Sequence, residues 1–140
     1  MKFTMNVVSG YLGLRLQEKV NRQSSISVVP VDTDFALRQF ISFPHKLYQK
    51  NPYWVPPFER GERAFWSPNK NPILRRSRYQ LFLAMRNNQV VGWIACMINE
   101  DEVAQGLSMA RFGWLDFVND QSVSYRLIQQ AIQWAHQEGM

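Results

Sequence analysis

Residues 81–98 read Leu-Phe-Leu-Ala-Met-Arg-Asn-Asn-Gln-Val-Val-Gly-Trp-Ile-Ala-Cys-Met-Ile, and they decide the fold class. Two β-rich runs, 81–86 and 89–98, flank Asn87 and Asn88, which tolerate positive φ better than other side chains, so the stretch predicts a hairpin with a tight turn. A third β-rich run, 107–118, follows an acidic turn region at 99–102 and a break at Gly106. Together the three runs predict an antiparallel meander. Residues 122–138 then change period. Val123, Leu127, Ile128, Ala131, Ile132, Trp134 and Ala135 form a helix-period stripe opposite Gln129, Gln130, Gln133 and Gln137, and Gly139 supplies the stop.

Toward the N-terminus, residues 26–31 read as a short strand ended by Pro30 and Asp32. Thr33 or Asp34 can cap a helix whose apolar positions are Phe35, Leu37, Phe40, Ile41 and Leu47, and Pro44 is expected to kink or split it. Asn51-Pro52-Tyr53-Trp54-Val55-Pro56-Pro57 cannot be helical through its prolines and is too aromatic for a free linker. An arm packed in extended form is expected there. Residues 58–66 read as a second short helix with Glu59, Arg60, Glu62 and Arg63 outward, ended by Ser67-Pro68-Asn69. Asn71-Pro72 reads as a further break before a basic loop. Residues 1–23 carry a loose amphipathic pattern at Val8, Leu12, Leu16 and Val20, which predicts a helical extension (1–25) ahead of the main body (26–140). The expected order is β-α-α-β-β-β-α, an α/β chain of the α+β kind with a largely antiparallel sheet.

The bulk composition narrows the class further. At 140 residues, 46% hydrophobic and 14% aromatic, the chain has the size and apolar content of one domain. No run of about 18 apolar residues is present, and Ser9, Gly10, Gly13 and Arg15 interrupt residues 7–16. A cytoplasmic protein without a membrane partner is expected. The single cysteine, Cys96, lies among apolar neighbours and reads as a buried structural thiol; His45 and His136 lack metal-ligand spacing, so no metal site is expected. The net charge of +5 has one local concentration, Arg75, Arg76 and Arg78. That cluster suits a solvated loop, an anionic ligand such as a cofactor phosphate, or nonspecific attraction to nucleic acid. Specific nucleic-acid binding is not expected, because the aromatics lie at core or arm positions rather than between cations on a strand face.

The segments Phe40-Ile41-Ser42-Phe43-Pro44-His45-Lys46-Leu47-Tyr48, Asn51-Pro52-Tyr53-Trp54-Val55-Pro56-Pro57, Asn71-Pro72 and Phe112-Gly113-Trp114-Leu115-Asp116-Phe117, with Trp134-Ala135 and Gly139-Met140, carry a resemblance. Together with the Val91-Gly92 step, they resemble the front part of a poorly characterised bacterial branch of the GNAT-like N-acetyltransferases. The resemblance covers residues 26–140 and implies that the domain is truncated, stopping where the family's next strand would begin. It implies acyl transfer from acetyl-CoA to a small-molecule amine whose identity is unknown. The alternative is a noncatalytic fragment acting as an interaction or oligomerisation module.

In that family the strand before the long helix pairs with the pantetheine arm, and a glycine-rich loop cradles the diphosphate. The corresponding residues here would be Phe117, Val118, Asn119, Ser122, Val123 and Ser124, with Asn119 in the place of a Gln or Arg and the two serines in the places of glycines. A helix N-terminus suits phosphate because its first N–H groups lack intrahelical partners and the helix dipole adds positive potential. Asp120 would oppose that charge or would cap the helix itself. Simple alternation puts Asp116 on one face with Phe112 and Trp114, and Gly113, Leu115 and Phe117 on the other. Asp116 then reads either as a general base for the acceptor amine or as a hydrogen-bonded structural carboxylate. An unpaired edge on the 107–118 strand, with apolar surface around Ile128, Ile132 and Trp134, predicts a homodimer joined near that edge, or aggregation.

Overall fold

The computed structural model describes residues 25–140; the helical extension expected over 1–23 lies outside the described residues. The elements run β1 (Ser27–Pro30), α1 (Asp34–Leu47), α2 (Glu59–Phe65), α3 (Pro72–Arg75), β2 (Ser77–Arg86), β3 (Gln89–Asn99), α4 (Glu100–Ala104), β4 (Ala110–Phe117) and α5 (Gln121–Gln137). The four strands form one sheet in the order β1-β2-β3-β4, each neighbouring pair antiparallel. This is the expected α+β arrangement.

Local chemistry explains most boundaries. Asn87 and Asn88 take φ of +50° and +60°, which a two-residue turn matching the twist of β2 and β3 requires. Thr33 caps α1, its hydroxyl accepting the Ala36 N–H at 3.1 Å. Gly139 takes φ +81° past the end of α5. The Gly139 N–H then bonds to the His136 carbonyl and the Met140 N–H to the Ala135 carbonyl, the paired bonds that close a helix C-terminus.

Three expectations are corrected. Pro44 does not split α1, which runs on to Leu47. It lies in the last turn with its ring buried, so the helix loses one N–H donor and nothing downstream. Asn71-Pro72 is a start rather than a break: Asn71 Oδ1 accepts the Ile73 N–H at 3.0 Å, its Nδ2 donates to the Phe65 carbonyl, and Pro72 opens α3 where a missing N–H is harmless. Among the described residues the 51–57 arm packs through Trp54 alone, whose neighbours Tyr53 and Val55 stand exposed.

Side-chain alternation gives the sheet two buried faces. Phe82, Ala84, Ile94, Cys96 and Ile98 pack against Val123, Leu127, Ala131 and Trp134 of α5. Leu81, Leu83, Trp93 and Ala95 pack against Phe40, Ile41 and Phe43 of α1, with Trp66 and Leu74. The sheet therefore lies between α5 and the α1–α3 layer, and at the C-terminal end of β4 Asp116 faces Tyr48 after α1 while Phe117 packs under α5.

Candidate functional site at the end of β4

β4 does not alternate simply. Trp93 is opposite Asp116 and Ala95 is opposite Gly113, so Trp114 and Leu115 together face Ile94. Trp114 takes φ +50°, and this one-residue bulge reverses the phase of everything after it. The expected facing is corrected accordingly. Trp114 turns toward α2, its ring 5.1 Å from Phe65 and 4.9 Å from Trp66, and Asp116 lies on the same face with Trp93. Phe112, expected beside them, lines a groove on the α5 face with Ala131 and Ile132.

Asp116 is half-buried and held by two donors. The Tyr48 hydroxyl donates to Oδ1 at 2.5 Å and the Trp93 indole N–H to Oδ2 at 3.3 Å. Each carboxylate oxygen keeps a further acceptor site. The bond to Asp116, then burial and the nearby carboxylate charge, push the Tyr48 phenol up from 10.0 to about 12. Tyr48 thus stays protonated, and a donor, at neutral pH. Trp54 leans on Tyr48 at 5.5 Å and meets His45 edge-on at 5.2 Å, and the His45 Nε2 is buried without a protein partner among the described residues.

The residues assigned to a phosphate-binding turn form one contiguous stretch on the other side of the strand end. Phe117 faces Gly92 and packs into the α5 core; the Val118 N–H donates to the Val91 carbonyl at 2.9 Å; Asn119 and Ser122 are exposed. Val123 is fully buried and its N–H donates to the Asp120 carbonyl at 3.0 Å, and the Ser124 hydroxyl donates to the Gln121 carbonyl. Asp120 caps α5 by accepting the Ser122 N–H at 2.8 Å, and its other oxygen pairs with Arg86 at 2.5 Å. Arg86, then the Ser122 N–H, hold the Asp120 carboxyl below its usual range. Asp116 and this turn are adjacent in sequence but face opposite sides of β4.

Tyr48, Trp93 and Arg86 escape a sequence reading. Tyr48 lies 68 residues from Asp116, and no local spacing links them. Of the arginine concentration, Arg78 pairs with Glu100 and Glu138 and Arg76 with Asp101, while Arg75 is exposed and makes no ion pair among the described residues.

No family model matches the chain. It is 30% identical over 118 residues to a Caulobacter vibrioides protein named Bacterial ceramide synthase, covering 83% of this chain and 31% of that one. It is 32% identical over 106 residues to the Escherichia coli Protein YghO, covering 74% and 26%. The chain thus spans less than a third of the length of these curated relatives. Among solved structures, a tandem GNAT protein from the clavulanic acid biosynthesis pathway superposes with a TM-score of 0.60 at 16% identity, covering 81% of this chain and 34% of that chain. The chain has a GNAT-like fold. An aminoglycoside acetyltransferase from an uncultured soil metagenomic sample agrees, with a TM-score of 0.51 at 14% identity over 86% of this chain and 75% of that one. The 107–118 run forms its strand as Ala110–Phe117, and α5 follows it.

Proposed function

We propose that this chain carries part of an N-acyltransferase that moves an acyl group from a coenzyme A thioester, acetyl-CoA or a longer acyl-CoA, to an amine. The observation that carries the reading is Asp116, fixed by Tyr48 and Trp93 at the end of β4 within a GNAT-like fold. The amine arrives as an ammonium ion. Asp116 accepts one proton, the neutral amine attacks the thioester carbonyl, the C–S bond breaks and the departing thiolate takes up a proton. Tyr48 and Trp93 position the carboxylate. The start of α5 offers Asn119, Ser122, Ser124 and the helix dipole to the coenzyme phosphates, with the Phe117–Val118 backbone before them, while buried Val123 seats the helix on the sheet. Arg86 offsets the charge of Asp120, which opposes phosphate, so binding is weak.

The relative named as a ceramide synthase favours a long-chain amino alcohol as acceptor, since a ceramide is the N-acyl amide of one. A small polar amine is the other arm of the test. On this reading the protein works in the cytoplasm, where acyl-CoA is available. Calorimetry of the full chain with acetyl-CoA should show weak binding that Ser122→Asp weakens further; tight binding indifferent to Ser122→Asp overturns the phosphate site. Release of free thiol in the presence of either amine should fall about 10²- to 10⁴-fold in Asp116→Asn, and an unchanged rate removes Asp116 from the chemistry.

A second reading has its own observation. Among the described residues no strand pairs with the outer edge of β4, and exposed Leu107, Met109, Phe112 and Ile132 lie on that strand, its approach and the facing helix. This edge suits a noncatalytic interaction module or a homodimer. Light scattering that shows a monomer at high concentration counts against it.

A further inference from the structure

The arm between α1 and α2 holds large apolar side chains out in water while its backbone is fixed. Tyr53, Val55 and Phe58 are 91%, 83% and 78% exposed. Between the first two, Trp54 is half-buried against Tyr48 and His45. The Tyr53 N–H donates to Asn51 Oδ1 at 3.0 Å, the Trp54 N–H to the Asn51 carbonyl at 3.3 Å, and the Asn51 N–H to the Tyr48 carbonyl at 2.8 Å. Pro52, Pro56 and Pro57 fix their own φ. A segment pinned in this way cannot fold its apolar side chains back. Their exposure is a property of the folded arm and marks a contact surface.

Charge indicates what the surface meets. Over residues 46–63 the chain carries Lys46, Lys50, Arg60 and Arg63 against Glu59 and Glu62, four cations against two anions, a local balance of +2. Arg63 and, on α1, Arg38 share Asp34 in ion pairs. Lys46, Lys50 and Arg60 are exposed and make no ion pair among the described residues. Aromatic and aliphatic side chains beside unpaired cations match the depth profile of an anionic bilayer, apolar at the acyl boundary and negative at the headgroups. The exposed side chains are spread singly along the arm at residues 53, 55 and 58, which suits a deformable surface better than a shaped protein.

We propose that this arm is a membrane-surface contact, with Tyr53, Val55 and Phe58 entering the headgroup boundary of an anionic bilayer and Lys46, Lys50 and Arg60 against its phosphates. It runs against the expectation of no membrane partner, and it requires no spanning helix. It deepens the acyltransfer reading and rests on it for the substrate: Trp54 links the arm to Tyr48, and Tyr48 to Asp116, so a long-chain amine drawn from the bilayer would reach the face of the sheet that carries Asp116.

Flotation of the full chain with vesicles, in the absence of any coenzyme, tests the surface alone. Binding is expected to phosphatidylcholine mixed with phosphatidylglycerol and much less to phosphatidylcholine by itself, and it should weaken as salt rises. Lys46→Ala and Lys50→Ala should each lower partitioning about fivefold. The combined Tyr53→Ser, Val55→Ser and Phe58→Ser variant should lose it, with its circular dichroism and melting temperature unchanged. Wild-type protein that ignores mixed vesicles overturns the proposal, as does a triple variant that still floats. A triple variant that alters oligomeric mass without altering flotation overturns it too, in favour of a second copy of the chain. Failure of acyl transfer is read separately, by calorimetry with acetyl-CoA and no lipid.

Discussion

Replacing Gly92 with alanine should loosen the seat of α5. Gly92 lies in β3 beneath the first turns of that helix, and an added Cβ would sit 2.8 Å from Val123 Cγ1, 2.9 Å from Leu127 Cδ1 and 3.1 Å from Phe117 Cβ. Val123 and Leu127 are fully buried, so neither side chain has space to swing into and the helix itself must rise. Overpacking of this kind costs about 1–3 kcal/mol. Removing the glycine returns about 0.5–1 kcal/mol through the unfolded chain, leaving a net loss of up to about 2.5 kcal/mol, centred on about 1–1.5 kcal/mol. At this chain length that is roughly 2–8 °C in melting temperature. Urea unfolding followed by tryptophan fluorescence reads the loss directly. Gly113→Ala is the control, since nothing lies within 4 Å of the Cβ it would add. If Gly92→Ala is as stable as Gly113→Ala to within about 0.5 kcal/mol, the close approach of α5 to β3 is refuted.

Leu127→Ala, which empties a fully buried position under α5, should cost about 2–5 kcal/mol in the same assay. Asp116→Asn should bring Tyr48 ionisation down from about 12 toward 10.0, seen in phenolate absorbance; no movement would show that the two are not bonded. Because the folded value is the higher one, stability that Tyr48 adds over Tyr48→Phe is complete below pH 10.0 and is lost as pH rises through about 12. Asp120 has the opposite sign. Its folded carboxyl lies below 3.8, so its advantage over Asp120→Asn is present above that pH and is lost on further acidification through the folded value. Gly139→Ala, at φ +81°, should lower stability by about 1 kcal/mol without changing the fold.

The elements that the sequence made legible are those whose signal is local. Asn87-Asn88 between two β-rich runs fixes a hairpin by turn chemistry, and the stripe from Val123 to Trp134 can bury itself only as a helix. Asn71-Pro72 misled because proline disrupts a helix interior but suits its first position, and only the Ile73 N–H bond distinguishes the two. The bulge at Trp114 was hidden because it depends on pairing with β3, and a slip of one residue moves every later side chain to the other face. The site followed the same rule. The α5 start is named through the family resemblance and Asp116 through its place on the strand, whereas Tyr48, Trp93 and Arg86 reach these residues across tertiary contacts that spacing along the chain does not encode.

The ion pairs at the two ends of α5 have a geometric consequence. Arg78, near the start of β2, bonds to Glu138 at the C-terminal end of the helix, and Arg86, at the end of β2, bonds to Asp120 at the N-terminal end. Eight strand steps of about 3.3 Å and eighteen helical steps of 1.5 Å both come to roughly 27 Å, so strand and helix are commensurate. β2 therefore acts as a gauge for α5, setting its length and heading as well as its depth on the sheet. Adding or removing one residue in the helix would turn one end by about 100° about the axis and leave one arginine facing the wrong side. Insertions should accordingly be tolerated in the loops around this pair and rejected within it, unless strand and helix change length together.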